Sequence, residues 1–222
     1  MNKKKSYNKK KYLLTGGITD YTNKEKHKFK IDTEGLFSLT SAKIAESITS
    51  DIINLFPINY KITITDATAS VGGNTIPFLL KNNFKHVNII EKDTDRFNML
   101  QSNIDINLNK ILGTYTLFND SFLNLKGLEN DVIFIDPPWG GPDYRRENKI
   151  KLFLDNINLY CIINELFGYS KTLKFIIIKV PKNFDLDDFK LKLDKNIYIE
   201  KTHSSSKLKK MNIYYLKQLK DI

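Results

Sequence analysis

Four acidic residues, Asp66, Glu91, Asp120 and Asp136, stand at or near the points where short apolar runs stop. In a sheet flanked by helices, such strand ends are where ligands bind. Asp66 opens a small-residue loop, Asp66-Ala67-Thr68-Ala69-Ser70-Val71-Gly72-Gly73-Asn74, and Thr75 starts a helix behind it. Glu91 closes the next run some 25 residues later. An acid in that place can accept hydrogen bonds from both hydroxyls of a ribose, and Asp120, closing a third run, could reach an adenine amino group. The loop has neither the Gly-x-Gly-x-x-Gly spacing of a dinucleotide site nor the Lys-Ser/Thr of a phosphate-binding loop. A cofactor with adenosine and no pyrophosphate fits this set, which suggests S-adenosylmethionine. Taken singly, each acid also reads as a turn or cap residue.

The fourth acid lies in Val132-Ile133-Phe134-Ile135-Asp136-Pro137-Pro138-Trp139-Gly140-Gly141. Four apolar residues have the length and branching of a strand buried on both faces. Pro137 and Pro138 lack amide donors and hold φ near one value, and the two glycines allow unusual dihedrals, so the strand cannot continue. Asp136 and Trp139 are thereby fixed at a strand end. The plainer alternative is a surface turn whose indole caps the core.

The elements that must position these residues alternate strand and helix from Tyr60 onward, as in a parallel sheet with crossover helices. Strands are expected at 62–65, 87–90, 115–118, 131–135 and 175–180, with 197–201 and 212–216 as a closing antiparallel pair. Helices are expected from Thr75, with Pro77 tolerated in its first turn, and over 96–106 and 151–167. Upstream, Ile44, Ala45, Ile48, Ile52 and Ile53 share one helical face, with Thr40 as a candidate N-cap. Residues 12–29 read as a poorly regular lead-in with room for a helix or turn beside the catalytic domain, and residues 1–11, with six lysines and no apolar face, as a disordered basic arm.

The 222 residues carry a net charge of +10, which favours a polyanionic partner such as nucleic acid, although the arm supplies over half of the excess. Cys161 is the only cysteine, which excludes an intramolecular disulfide and a cysteine-cluster zinc site. His27, His86 and His203 are far apart without acidic companions at ligand spacing, so no metal is expected. No apolar run approaches a membrane span, and no signal segment leads the chain. An intracellular protein is expected.

Two stretches carry a resemblance to a known family. Asp66-Ala67-Thr68-Ala69-Ser70-Val71-Gly72-Gly73-Asn74-Thr75 and Asp136-Pro137-Pro138-Trp139-Gly140-Gly141-Pro142-Asp143-Tyr144 resemble motifs of the trimethylguanosine synthase family, which methylates the 2-amino group of 7-methylguanosine caps. The likeness extends to residues 30–40 and to Val180-Pro181-Lys182-Asn183, covering most of 28–216. It implies a class I S-adenosylmethionine-dependent methyltransferase: an α/β, Rossmann-like, mostly parallel seven-stranded sheet with a closing antiparallel strand and a small N-terminal extension. The expected division is a basic arm at 1–11, an extension and lid at 12–56 and a catalytic domain at 57–222.

By that resemblance Asp66, Ala67, Thr68, Gly72, Asn74, Thr75, Glu91 and Asp120 hold the cofactor, with Phe37 and Thr40 in a lid. Asp136, Pro137 and Trp139 act on the base, and Lys30, Ser38, Tyr144, Lys182 and Asn183 bind the capped substrate. The implied partner is capped RNA, the implied product a di- or trimethylguanosine cap, and the expected state a monomer in nucleus or cytoplasm. Two positions depart from the family. Its members often have serine at 136 and arginine at 182. Asp136 brings the motif towards the Asp/Asn-Pro-Pro-aromatic signature of enzymes that methylate amino groups of adenine or guanine. Lys182 keeps the charge without a planar bidentate grip. The rival readings are a ribosomal-RNA guanine or adenine amino-methyltransferase and a cap- or RNA-binding module without turnover.

Overall fold

The structure, a computed structural model, describes residues 22–203, 208 and 210–219; the basic arm and the first part of the lead-in lie outside the described residues. The main sheet is seven-stranded and mixed. The chain divides into two compact units, Met1–Asn124 and Leu125–Ile222.

In the first unit, helices α1 (Asn23–Lys28), α2 (Gly35–Ser38) and α3 (Ala42–Ile53) precede β1 (Ile62–Asp66), α4 (Thr75–Leu79), β2 (Phe84–Ile90), α5 (Thr94–Asp105) and β3 (Thr114–Phe118). The strands lie in the order β3-β2-β1 and are parallel, with Asp66 level with Ile89 and Ile90 level with Phe118. Every residue of β1 is buried, as its run of β-branched side chains requires of a parallel strand covered on both faces. On α3 the apolar stripe Ala45, Ile48 and Ile52 is buried as its spacing predicts. The cap differs from expectation: Ser41 occupies it without a side-chain bond, and Thr40 is turned into the interior instead. The described end of the lead-in holds the helix α1. Thr22 and Glu25 form a capping box for α1. Those bonds, with Lys110 at 3.0 Å, hold the Glu25 carboxyl down to about 2.

The second unit holds β4 (Val132–Ile135), β5 (Phe153–Leu154), β6 (Ile157–Asn158), α6 (Leu159–Tyr169), β7 (Phe175–Pro181), α7 (Leu186–Lys192), β8 (Ile197–Lys201) and β9 (Met211–Gln218). Here the order is β4-β7-β9-β8, with β4 and β7 parallel and β9 antiparallel to both of its neighbours, as the sequence pattern predicts for the closing pair. The helix expected over 151–167 begins only at Leu159. The preceding residues form a β5-β6 hairpin, because Asp155 and Asn156 adopt φ of 48° and 65°, the left-handed pair that a two-residue hairpin turn demands. Asn158 then caps α6 by accepting from the Tyr160 amide. No helix among the described residues is long and apolar enough to cross a membrane.

Candidate active site

In the first unit the parallel register carries the ends of all three strands to one edge. The Ala69 amide donates to the Ile90 carbonyl at 2.9 Å and the Glu91 amide to the Phe118 carbonyl at 3.1 Å, so the chain stays paired just past the strands. Asp66, 1% exposed, closes the loop on itself: Oδ2 accepts from the Thr75 hydroxyl at 2.6 Å and Oδ1 from the Thr68 amide at 3.3 Å. Ala67 is buried too. Glu91 takes the Ser70 amide on one carboxylate oxygen and the Asp93 amide on the other, both at 2.8 Å. Burial pushes its carboxyl above the usual range, against the pull of those amides. Each oxygen retains accepting capacity. Asp120 is exposed and accepts from the Ser121 amide and the Asn124 side chain, while its neighbour Asn119 donates back to the Glu91 carbonyl at 2.9 Å.

The loop runs tightly against residues 39–40. A Cβ on Gly73 would lie 2.6 Å from Leu39 Cδ1 and 3.4 Å from the Thr40 amide, while Gly72 has φ of 99°. Next to this contact, Thr40 Oγ1 and Asn74 Oδ1 are buried without a partner among the described residues. Each such orphan costs about 1–3 kcal/mol unless something completes it. Buried orphan polar atoms beside the loop, and the Glu91 carboxylate at the next strand end, fit a ligand with several polar groups. With no Lys-Ser/Thr of a phosphate-binding loop in residues 66–75, the set suits S-adenosylmethionine.

Phe37 and Ser38 are exposed on α2, whose approach is anchored by Arg96 of α5. Its guanidinium pairs with Asp32 at 3.0 Å and with Glu34, and Asp32 also accepts from the Gly35 amide at 2.6 Å. Asn103, also on α5 and fully buried, donates to the Val71 carbonyl at 2.9 Å and to the Lys30 carbonyl at 2.8 Å, and accepts from the Lys30 amide at 2.6 Å. The Lys30 backbone is thus tied to the loop while its side chain stays exposed. Sequence reasoning missed Arg96 and Asn103. The available signal for Asn103 was a polar residue on the buried stripe of an amphipathic helix.

In the second unit, β4 pairs Ile135 with Ile178 of β7, so the next residues on each strand, Asp136 and Lys179, arrive at the same level. They form an ion pair, with Lys179 only 2% exposed. Burial raises the Asp136 carboxyl and the Lys179 ammonium opposes the rise; burial is the larger effect. Pro137 is buried, and Gly140 and Gly141 take φ of 87° and 75°, with open space where a Cβ would point. Their backbone, not crowding, calls for glycine. The Trp139 indole is half-buried, edge-on to Tyr144 at 5.3 Å, and the Lys179 ammonium lies over its ring, 5.2 Å from the centroid. Its Nε1 is buried without a partner among the described residues.

Asn183 donates to the Tyr144 and Glu147 carbonyls at 2.7 and 2.8 Å, pinning the turn that follows the motif. Lys182 is exposed and reaches the Asn212 side chain at 2.8 Å; partial burial and the nearby Lys201 charge lower its ammonium below the usual range. Lys179 is the residue the sequence reading passed over. Its signal was a lone cation in the otherwise apolar run Phe175–Val180. Among the described residues, no group of three or more His, Cys, Asp or Glu side chains is placed to hold a metal ion.

Residues 61–219 match the model of a family described as RNA cap guanine-N2 methyltransferase. An uncharacterized protein of Acanthamoeba polyphaga mimivirus is 30% identical over 186 residues, covering 73% of this chain and 70% of that one. Trimethylguanosine synthase of Schizosaccharomyces pombe is 23% identical over 165 residues, covering 71% of this chain and 65% of the yeast protein. Among solved structures, a putative class I S-adenosylmethionine-dependent methyltransferase from Listeria monocytogenes superposes with a TM-score of 0.62 at 18% identity, covering 89% of this chain and 66% of that one. A putative RNA methyltransferase from Pyrococcus horikoshii gives 0.53 at 14% identity, covering 99% and 100% of the two chains. These structural likenesses establish the fold, a class I methyltransferase sheet.

Proposed function

Because the chain belongs to the RNA cap guanine-N2 methyltransferase family and is an S-adenosylmethionine-dependent RNA methyltransferase, we propose that it methylates the 2-amino group of a 7-methylguanosine cap. The observation that carries this reading is a carboxyl acceptor and an aromatic plane brought to one strand end, Asp136 and Trp139 both in contact with the Lys179 ammonium. A base methylated at its 7 position is cationic, and an indole face attracts it by about 0.5–2 kcal/mol.

S-adenosylmethionine supplies an electrophilic methyl group on a sulfonium. Glu91 would accept from its ribose hydroxyls and Asp120 from its adenine amino group, and Thr40 and Asn74 would offer their unpartnered oxygens to its polar groups, with Phe37 in the lid. Asp66, Ala67, Thr68, Gly72 and Thr75 keep the loop in shape. On the acceptor side, Trp139 stacks on the base, with Tyr144 steadying the indole. Asp136 and the Pro137 carbonyl accept hydrogen bonds from the 2-amino group and direct its nitrogen. With the cofactor bound, the nitrogen held by these acceptors would receive its methyl group, and one amine proton would pass to water. Fixed alignment supplies much of the acceleration, so no covalent nucleophile is needed. Lys30 and Lys182 serve the cap phosphates, Ser38 lies in the lid over cofactor and base, and Asn183 pins the turn that carries Tyr144 on the substrate side.

Two expected results follow from these roles. Glu91→Gln keeps an acceptor for one loop amide but removes the charge, and calorimetry should find S-adenosylmethionine bound about tenfold more weakly, the loss of roughly one charge-assisted hydrogen bond. An unchanged Kd would remove Glu91 from the cofactor site. Lys182→Ala should raise KM for a capped oligonucleotide several-fold at low salt, with little effect near 1 M salt, where the Debye length is about 3 Å. A loss that ignores salt would count against a phosphate contact.

The deciding experiment incubates the protein with 7-methylguanosine and unmethylated guanosine cap analogues and weighs the products, which also separates one added methyl from two. Methyl transfer to the methylated analogue alone is expected. The Lys179 ammonium over the indole favours a second reading, transfer to an uncharged guanine or adenine amino group in RNA, because it already occupies the attraction that a cationic base would use. Equal transfer to both analogues would select that reading.

A further inference from the structure

We propose that Lys179 is a positioning residue for the acceptor, its ammonium holding the Asp136 carboxylate as an ionised, oriented acceptor for the base amine; this rests on the amino-methylation reading above. The register brings the two together: β4 and β7 are parallel with Ile135 level with Ile178, and the residues that follow are 43 apart in sequence yet joined as an ion pair. Lys179 sits in a strand whose neighbours Ile176, Ile177, Ile178 and Val180 are fully buried.

Stability does not explain the pair. Taking two charges out of water costs several kcal/mol each, and well-packed apolar side chains of similar volume would do as well or better. The chemistry of the amine does explain it. An ionised carboxylate only accepts hydrogen bonds, so it takes an amine N–H and leaves the nitrogen lone pair free. A protonated carboxyl would donate to that lone pair and tie it up. Burial drives Asp136 towards the protonated form, and Lys179 is the charged group that opposes it from β7. Around Lys179, β9 presents Ile213 at the same level and the loop presents the Trp139 ring, itself edge-on to Tyr144. Contact of Lys179 with the indole face ties its position to the surface on which the base stacks.

The experiment uses the full chain and two readouts: the pH profile of kcat on a guanosine cap analogue, and the fluorescence of Trp139, the only tryptophan, titrated without substrate or cofactor. In Lys179→Met the acid limb of kcat and the midpoint of the fluorescence titration should both move up by about one pH unit or more, the size of an opposite-charge effect at this range. On the acid limb, kcat should fall about tenfold for each unit the limb moves, and recover in alkali. Lys179→Arg should return both towards wild type, and Asp136→Asn should abolish the fluorescence transition. A uniform loss of activity with an unmoved midpoint, or a transition that survives in Asp136→Asn, would overturn the proposal. Should Lys179→Met not fold, the Arg and Asn variants still decide it. Should the wild type methylate no guanine analogue, the amino-methylation reading fails by itself, and the fluorescence shift still reports whether Lys179 governs Asp136.

Discussion

Replacing Trp139 with alanine is expected to lower kcat/KM for a 7-methylguanosine cap by about 10- to 100-fold and to leave the Kd for S-adenosylmethionine within about twofold. A base stacked on an aromatic side chain is worth about 1–3 kcal/mol by alanine substitution, and each 1.4 kcal/mol is about a factor of ten. The indole is held edge-on by Tyr144 and lies under the Lys179 ammonium. Alanine therefore removes the stacking plane and also admits water to the Asp136 pair, which weakens its electrostatics. The residues assigned to the cofactor, by contrast, belong to the loop, to residues 37–40 and to the ends of β2 and β3, so calorimetry with S-adenosylmethionine should hardly register the change. Trp139→Phe keeps a plane and should retain much of the activity. Wild-type turnover in Trp139→Ala would mean that the base stacks elsewhere.

How much of this was legible in the sequence depended on the range of the interaction. The buried strand before Asp136, the loop after Asp66 and the acid at Glu91 were readable because each rests on a run of neighbouring residues, whose periodicity and turn chemistry are local. The hairpin at 153–158 was also written locally, in Asp155-Asn156, but the apolar residues on either side imitate a helical stripe and hide it. Thr40 has the chemistry of a cap, and Ser41 beside it has the same chemistry, so only the structure separates the cap from the buried hydroxyl. Lys179 lay beyond reach for a different reason. A lone cation in an apolar strand is visible, but its partner is chosen by strand register across 43 residues, and no pattern within one strand specifies that register. Asn103 is similar: its three bonds tie Lys30 to Val71 through α5, a connection that exists only once the helix has packed.

Asp136→Asn should separate what the carboxylate does for the fold from what it does for the reaction. The amide keeps the shape but leaves Lys179 buried with no opposing charge, and breaking a buried pair on one side costs about 3–5 kcal/mol. Urea titration should therefore find a markedly less stable protein. Adding Lys179→Met removes the stranded cation, and the double variant should recover most of that loss. Activity should not follow. An oriented polar group acting on developing charge is worth roughly 100-fold or more in kcat, and the double variant still lacks the anion that faces the amine. The pH dependence of stability gives an independent sign. Burial raises the folded-state value of Asp136 above the ordinary carboxylate value near 4, so the native state binds this proton more readily than the unfolded chain. Its contribution must then diminish as pH rises from the ordinary value through the raised one, and level off above. In Lys179→Met the window should widen upward, because the opposing ammonium is gone. In the double variant, which has no carboxyl to titrate, that component should be absent. A single Asp136→Asn variant as stable as wild type would mean that Lys179 loses nothing with its partner, and a double variant with wild-type kcat would take Asp136 out of the reaction.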